Sequence, residues 1–339
     1  SEMLAPMEVR PMPCPHCCHP TKVVRKGWFS RKTLKNRRFQ RFRCQTCKRY
    51  FSETTATLSW RQKRPELHEQ IFVLLNSGVS QRRTALILGT TPVTIARKLV
   101  RLAHFARLHH EGWLRQMPPV STAVFDDMET FEHSKLKPVS ITVAVEQGSR
   151  RIIGAMATQM PCKGKNAKKA LKRYGYRKDK RRKGLAVVLN AVARVSAKDM
   201  LLKSDQCPRY PRAVRRHVPW ARHQTYKSRR ACVVGQGEMK AGGFDPLFSL
   251  NHTCAMYRDN TKRLSRRTWC TTKKIPRLQC LLDLYTVFHN EWLLAKRSFD
   301  RQLRLPQVAD DADDGGEARG HGGAATGNAT GGVAVGAAM

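Results

Sequence analysis

The sequence predicts a multidomain α+β chain, and three observations predict it. Two cysteine pairs, CPHC at 14–17 and CQTC at 44–47, lie in a stretch with few apolar residues. Apolar residues then recur at helical spacing from 64 to about 111. Beyond 120, β-prone runs alternate with helical ones. The bounds that follow are 1–60, 61–114 and 118–298, with a final segment at 299–339.

Charge narrows the partner. The 339 residues carry 64 Lys and Arg against 25 Asp and Glu, a formal net charge of +39. That excess exceeds what solubility needs and implies a densely negative partner. Nucleic acid is favoured over membrane, because the basic residues are spread along the chain. No apolar run approaches the roughly 20 residues of a spanning helix. LAVVLNAVARV is the best candidate, and it is short and broken by Asn190 and Arg194. The opening SEMLAPMEVRPMPC lacks the basic and apolar regions of a secretory signal, so a soluble, cytoplasmic, nucleoid-associated protein is expected. Eleven cysteines at uneven spacing fit reduced thiols or metal ligands better than a disulfide framework.

The first domain reads as a four-cysteine zinc ribbon. Thiolates two residues apart on a tight turn can face one tetrahedral ion, so Cys14, Cys17, Cys44 and Cys47 are the expected structural Zn2+ ligands, with Pro15 and Gln45 in the turns. Metal binding would supply folding energy that so small a core lacks. Between the pairs, RKGWFSRKTLKNRRFQRFR interleaves basic and aromatic residues, as a nucleic-acid-facing ribbon would; a solvated loop is the alternative.

Helical signals follow. PELHEQIFVLLNSG opens near Pro65 and stops at Gly78; VSQRRTALILG starts from Ser80 as N-cap; TTPVTIARKLVRLAHFARL has Thr91 as N-cap and Pro92 at the first helical position. Three helices with a short turn at Gly89 predict a helix-turn-helix. Ala85 would sit at the helix crossing, with Ile95 and Leu99 inward. Thr94, Arg97, Lys98 and Arg101 would then face outward as DNA contacts. A three-helix bundle with a charged face is the alternative.

After a linker at 115–121, the predicted order is three strands (121–125, 138–146, 150–159), a helix (184–195), a strand (199–205), a helix (210–218), a strand (221–228) and a long helix (245–267). That order is that of an α/β ribonuclease-H-like domain. Between the third strand and the first helix, 12 of the 21 residues from 163 to 183 are basic, which predicts a mobile arm that orders on phosphate. The Gly-, Ala- and Asp-rich tail from 299 is expected to be disordered.

Within an otherwise cationic chain, VFDDMETFEH places four acids in seven positions. Asp126 and Asp205 each end a predicted strand, and those strands are neighbours in such a sheet. Two converging carboxylates call for a cation, and Mg2+ or Mn2+ suits hard oxygen ligands while keeping sites for a phosphate. Strand alternation puts Val124 and Asp126 on one face and Phe125 and Asp127 on the other. Asp127, Glu129 and Glu132 are expected to be supporting or surface groups. A third ligand from the long helix would be Asn251, an uncharged amide, with Glu238 as the substitute. Arg258, Lys262 and Arg266 near the face of Asn251 would hold the DNA strand.

Together VFDDMETFEHSKLKPVSITVAVE, LLKSDQCPRY, GQGEMKAGGFDPLFSLNH and RLSRRTWCTTKK resemble the bacterial insertion-sequence transposases that place a zinc ribbon and helix-turn-helix ahead of a DDE-type catalytic core. The likeness spans residues 14 to about 294. It implies an enzyme that cuts double-stranded DNA at the ends of its element and joins the freed 3′ hydroxyl to target DNA, acting as a homo-oligomer on two ends. By position Asp126 and Asp205 match the first two acids, while Asn251 falls where the related IS-one group has glutamate. Some relatives follow an Asp-Asp-Asn pattern. A regulatory DNA-binding protein with a non-catalytic core, or a nuclease without strand joining, are the alternatives.

Overall fold

The structure, a computed structural model, describes residues 13–17, 23–31, 36–55, 57–227, 239–240, 243–265 and 269–294. These belong to one compact unit covering 1–297, and 298–339 forms a second unit outside the described residues, as does the expected disordered tail. The fold is mixed α/β.

The N-terminal part is a three-stranded antiparallel sheet of β1 (Val23–Arg31), β2 (Arg37–Cys44) and β3 (Tyr50–Ser52). Its core is small: Cys14, Cys44 and Phe51 are buried, with Val23, Phe42 and Cys47 packed around them.

Three helices follow: α1 (Leu67–Asn76), α2 (Gln81–Ile87) and α3 (Pro92–Gln116). The start signals act as the sequence predicts. Ser80 Oγ accepts the Arg83 N–H at 3.4 Å, and Thr91 Oγ1 accepts the Thr94 N–H at 3.2 Å, each satisfying a donor the helix leaves open. Gly78 ends α1 at φ +73°, where its N–H bonds Asn260 O at 2.8 Å and an added Cβ would stand 3.1 Å from Asp259 O. Only glycine meets both demands.

The central sheet comprises β4 (Val120–Phe131), β5 (Pro138–Glu146), β6 (Ile152–Gln159), β7 (Ser196–Asp205) and β8 (Arg222–Tyr226), in the spatial order β6-β5-β4-β7-β8. The first three strands are antiparallel neighbours, while β7 and β8 run parallel to β4. Between β6 and β7 come α4 (Ala167–Tyr174) and α5 (Arg181–Val195); α6 (Tyr210–His217) joins β7 to β8. A short hairpin of β9 (Met239–Lys240) and β10 (Gly243–Phe244) precedes α7 (Phe248–Asn260) and α8 (Ile275–Val287), and a π-helical turn extends α8 over Phe288–Leu293.

Strand alternation divides the core. Phe125, Ala144, Ile153 and Leu202 face α5 and α6, whereas Val124, Val143, Val145 and Ile152 face α7 and α8. Gly184 lets α5 lie close on β6, since a Cβ there would come 2.7 Å from Thr158 Cγ2. Helix α8 is doubly covered. Leu278, Leu282 and Tyr285 pack on the sheet side, while Leu281 and Leu284 join Ile71, Ile95 and Leu99 of the helical module.

Three expectations are corrected. The segment 163–183 is not a free arm: it folds as α4 and the start of α5, with Ala170 buried and the lysines fanned into solvent. Its charge is partly neutralised, by Glu132 on Arg177 at 3.1 Å and Asp179 on Arg181 at 2.5 Å. The long helix stops at Asn260, whose side chain caps Met256 O at 2.9 Å before Thr261 turns extended. Lys262 therefore lies beyond the helix and does not share the face of Asn251. Finally α8, to which the sequence reading gave no element, is central to two cores.

Candidate functional site

Two constellations stand out, and the first is the cysteine cluster. Cys14 and Cys17 flank one tight turn; Cys44 ends β2 and Cys47 follows the next turn. The four Sγ atoms lie within 4.8 Å of one another, Cys14 to Cys47 at 3.7 Å and Cys17 to Cys44 at 3.6 Å. Sulfurs about 2.3 Å from a tetrahedral ion stand about 3.8 Å apart, far from the ~2.05 Å of a disulfide, so the cluster fits a zinc ion. Each turn also offers a backbone N–H to the pair's first sulfur, His16 to Cys14 at 3.4 Å and Cys47 to Cys44 at 3.5 Å. The Cys47 N–H is the main reason the Cys44 thiol titrates below its ordinary value, which favours the ligating thiolate. Cys18 and His19 lie outside the described residues. Arginines lean on the ribbon's aromatics: Arg31 and Arg37 over Phe39, Arg41 and Arg43 over Tyr50, all within 5.6 Å of a ring centre.

The second constellation sits where β7 ends beside the middle of β4, a strand that pairs with β5 as far as Phe131 and so does not end at Asp126 as the sequence predicts. Val124 of β4 pairs with Lys203 of β7, so two residues further on Asp126 and Asp205 stand side by side on parallel strands. Their electrostatics agree. Burial, and then the charge of Asp205, push the Asp126 carboxyl up to about 6. Two hydrogen bonds oppose this without cancelling it: Asp126 Oδ1 accepts the Asp127 N–H at 2.6 Å and the Tyr210 hydroxyl at 2.9 Å. Asp205 Oδ1 accepts the Cys207 N–H at 2.9 Å.

Asp127 points elsewhere, as alternation predicts. Its carboxylate accepts Thr142 Oγ1 at 2.5 Å and Arg209 Nη2 at 2.9 Å. Glu132 pairs with Arg177 and Lys137, and Glu129 is exposed. The four acids thus divide into one partner for Asp205, two anchors for basic side chains and one surface group.

Asn251 is exposed in the first turn of α7, and its Nδ2 donates to buried Asp245 at 2.7 Å. The amide oxygen is then the atom left to ligate a cation. One turn on, the buried Cys254 thiol is pushed up to about 12, first by burial; Arg258 counters and the Asp126 charge adds. Both Arg258 and Asp126 thus act on the Cys254 thiol of α7. Glu238 and Arg266 lie outside the described residues.

The predicted outward face of α3 is only partly outward. Arg97 is exposed and Thr94 half-buried, but Lys98 is 4% exposed, with Nζ 3.0 Å from both Lys63 O and His68 Nε2. Arg101 donates to Leu58 O and Thr57 O, each at 2.7 Å. Lys98 and Arg101 thus fasten the segment ahead of α1. The cause is that residues 57–68 fold back over this side of α3, so its buried stripe is wider than a single-faced helix needs.

A pH effect follows from Lys98. Burial, then the Lys98 and Arg101 charges, depress His68 to about 4. A base whose folded pKa falls below its unfolded 6.5 contributes stability that is complete above pH 6.5 and is lost as pH drops toward 4. Thermal unfolding followed between pH 7 and 4 should show this loss, and His68→Gln should flatten it. An unchanged pH dependence in the variant would refute the assignment.

Tyr210 and Arg209 were missed at the sequence level. Their only signal is proximity to Asp205 in the sequence, and their reach to Asp126 and Asp127 is set by where α6 lies. No protein-family model matches the chain, and no curated protein shows significant similarity to it. No helix among the described residues is long and apolar enough to cross a membrane.

Proposed function

We propose that the protein is a DDE-type transposase that binds the ends of an insertion sequence and catalyses metal-dependent DNA cleavage and strand transfer. One observation carries the reading: Asp126, midway along β4, and Asp205, the last residue of β7, lie on adjacent parallel strands of a sheet ordered third, second, first, fourth, fifth, an order that supports a ribonuclease-H-like core. Asp126 and Asp205 would hold a divalent ion, with the Asn251 amide oxygen as an uncharged third ligand. Magnesium or manganese there would activate a hydroxyl nucleophile and stabilise the leaving 3′ oxygen. Tyr210 keeps its proton, because burial and three nearby aspartates raise its pKa, and so it fixes the Asp126 rotamer as a permanent donor. Arg209 holds Asp127 away from the pair. Arg258, on the same helix as Asn251, would meet the scissile strand. Upstream, the zinc ribbon and the helix-turn-helix read the terminal repeats, with Arg97 and Thr94 on the accessible side of α3, and two or more copies assemble on paired ends.

The test is incubation of purified protein with a DNA end and magnesium or manganese, beside an Asp126→Ala control. Joined products that vanish in the control support the proposal; cleavage alone supports a nuclease. Binding with no metal-dependent product supports a regulatory protein, the reading favoured by the absence of a third acid at Asn251. Non-specific duplex binding should also fall steeply, by orders of magnitude between about 50 and 200 mM salt, as counterion release is lost. A flat salt response would assign the +39 charge to another partner.

A further inference from the structure

We propose that α4 and the turn after it form a binding surface for an unpaired DNA strand running away from the acid pair. The inference rests on the reading that the partner is DNA, and it assigns a role that strand transfer alone does not require. Eight Lys and Arg lie between 163 and 178, with no acid among them. A solvated basic helix needs nothing more. Yet Leu171, Tyr174 and Tyr176 are also exposed there, by 59%, 41% and 83%. Large rings held in water among cations cost apolar hydration and gain only when something flat covers them. In a duplex the base faces are stacked and hidden. In a single strand they are open, and aromatic side chains along a cationic groove are how proteins hold such strands without reading sequence.

Position supports the same ligand. The β4–β5 hairpin continues past Asp126, with Asp127 to Phe131 paired to Thr142 to Pro138. Glu132 lies just past that strand, six residues beyond Asp126, and ion-pairs both Arg177 and Lys137 at 3.1 and 3.4 Å. Lys137 Nζ and Arg173 also lie over the Tyr174 ring, at 5.4 and 5.5 Å. The arm is thus fixed to the strand that carries the catalytic candidate, roughly 20 Å further along at ~3.3 Å per residue. Arg177 Nε and Nη2 are enclosed and unpaired among the described residues, so a phosphate reaching that edge after a small shift of α4 would satisfy them.

Fluorescence anisotropy on the full chain, using labelled oligothymidylate and a duplex of the same length, tests this. Tyr176→Ala should weaken oligothymidylate binding by roughly 5- to 150-fold, with duplex binding changed by less than about twofold. Tyr176→Phe, which keeps the ring, should stay within about twofold of the parent on both. Equal losses on both DNA forms would overturn the proposal, and so would no loss on either. Circular dichroism of the variants guards against misfolding, and at so exposed a residue none is expected. If the parent joins no DNA ends but Tyr176→Ala loses single-strand binding selectively, the transposase reading falls and this one stands.

Discussion

Replacing Asp126 by asparagine should abolish metal-dependent strand cleavage and, in the absence of magnesium, make the protein more stable at pH 7. The two effects share one cause. Asp126 titrates at about 6 in the fold against an ordinary 3.8, because it is buried beside Asp205. An acid whose folded pKa is raised contributes stability that is complete below about pH 4 and is lost as pH rises through about 6. Above that range the ionised carboxylate costs about 3 kcal/mol relative to its protonated form. Asparagine keeps an oxygen for the Tyr210 hydroxyl and the Asp127 N–H without the charge, so a gain of about 1–3 kcal/mol is expected in urea unfolding at pH 7. The gain should vanish at pH 4, where Asp126 is itself protonated. Magnesium reverses the order, since a ligand that binds only the folded parent stabilises it by mass action and finds no matched pair in the variant. An Asp126→Asn protein that is less stable at pH 7 without metal would show that the carboxylate is held by partners and does not await a cation.

The same competition between local pattern and tertiary setting decides what the sequence reveals. The central sheet is legible because Val124, Phe125 and Asp126 alternate between two faces, and each face has its own core. The helix starts at Ser80 and Thr91 are legible because capping is a local matter of a few residues. Lys98 is not, because its burial depends on Lys63 and His68, 35 and 30 residues earlier in the chain, folding back over that side of α3. The end of α7 at Asn260 depends on a side chain turning back onto Met256 O, which a helical repeat does not register. Helix α8 was readable in principle, with Pro276 in its first turn and apolar residues at 278, 281, 282 and 285. Of the acid site, the pairing of Asp126 with Asp205 follows from strand order. The donors that orient its acids, Tyr210 and Arg209, follow only from the placement of α6.

Cys44→Ser should release the zinc ion and unfold the ribbon while leaving the sheet and helices intact. Cys14, Phe39, Cys44 and Phe51 are the buried apolar residues described in that ribbon, and two of the four are ligands, so little apolar burial remains once the ion goes. Zinc binding in comparable small domains is worth about 10–16 kcal/mol at neutral pH, far above what such a core supplies. Unfolding should stop near residue 57 for a structural reason. Arg101 holds Thr57 O and Leu58 O, and Lys98 holds Lys63 O, all from a helix whose packing owes nothing to the metal. Limited proteolysis of the variant should therefore cut within 23–52 and spare 57–227, and its zinc content should fall to near zero. Retained zinc would mean that three thiolates suffice or that the ion binds elsewhere, whereas cuts spread through the sheet would mean that the ribbon supports the whole fold. Because the ribbon's aromatics and arginines lie on its strands, the variant should also lose duplex affinity, and it should do so without losing binding of oligothymidylate to the α4 surface.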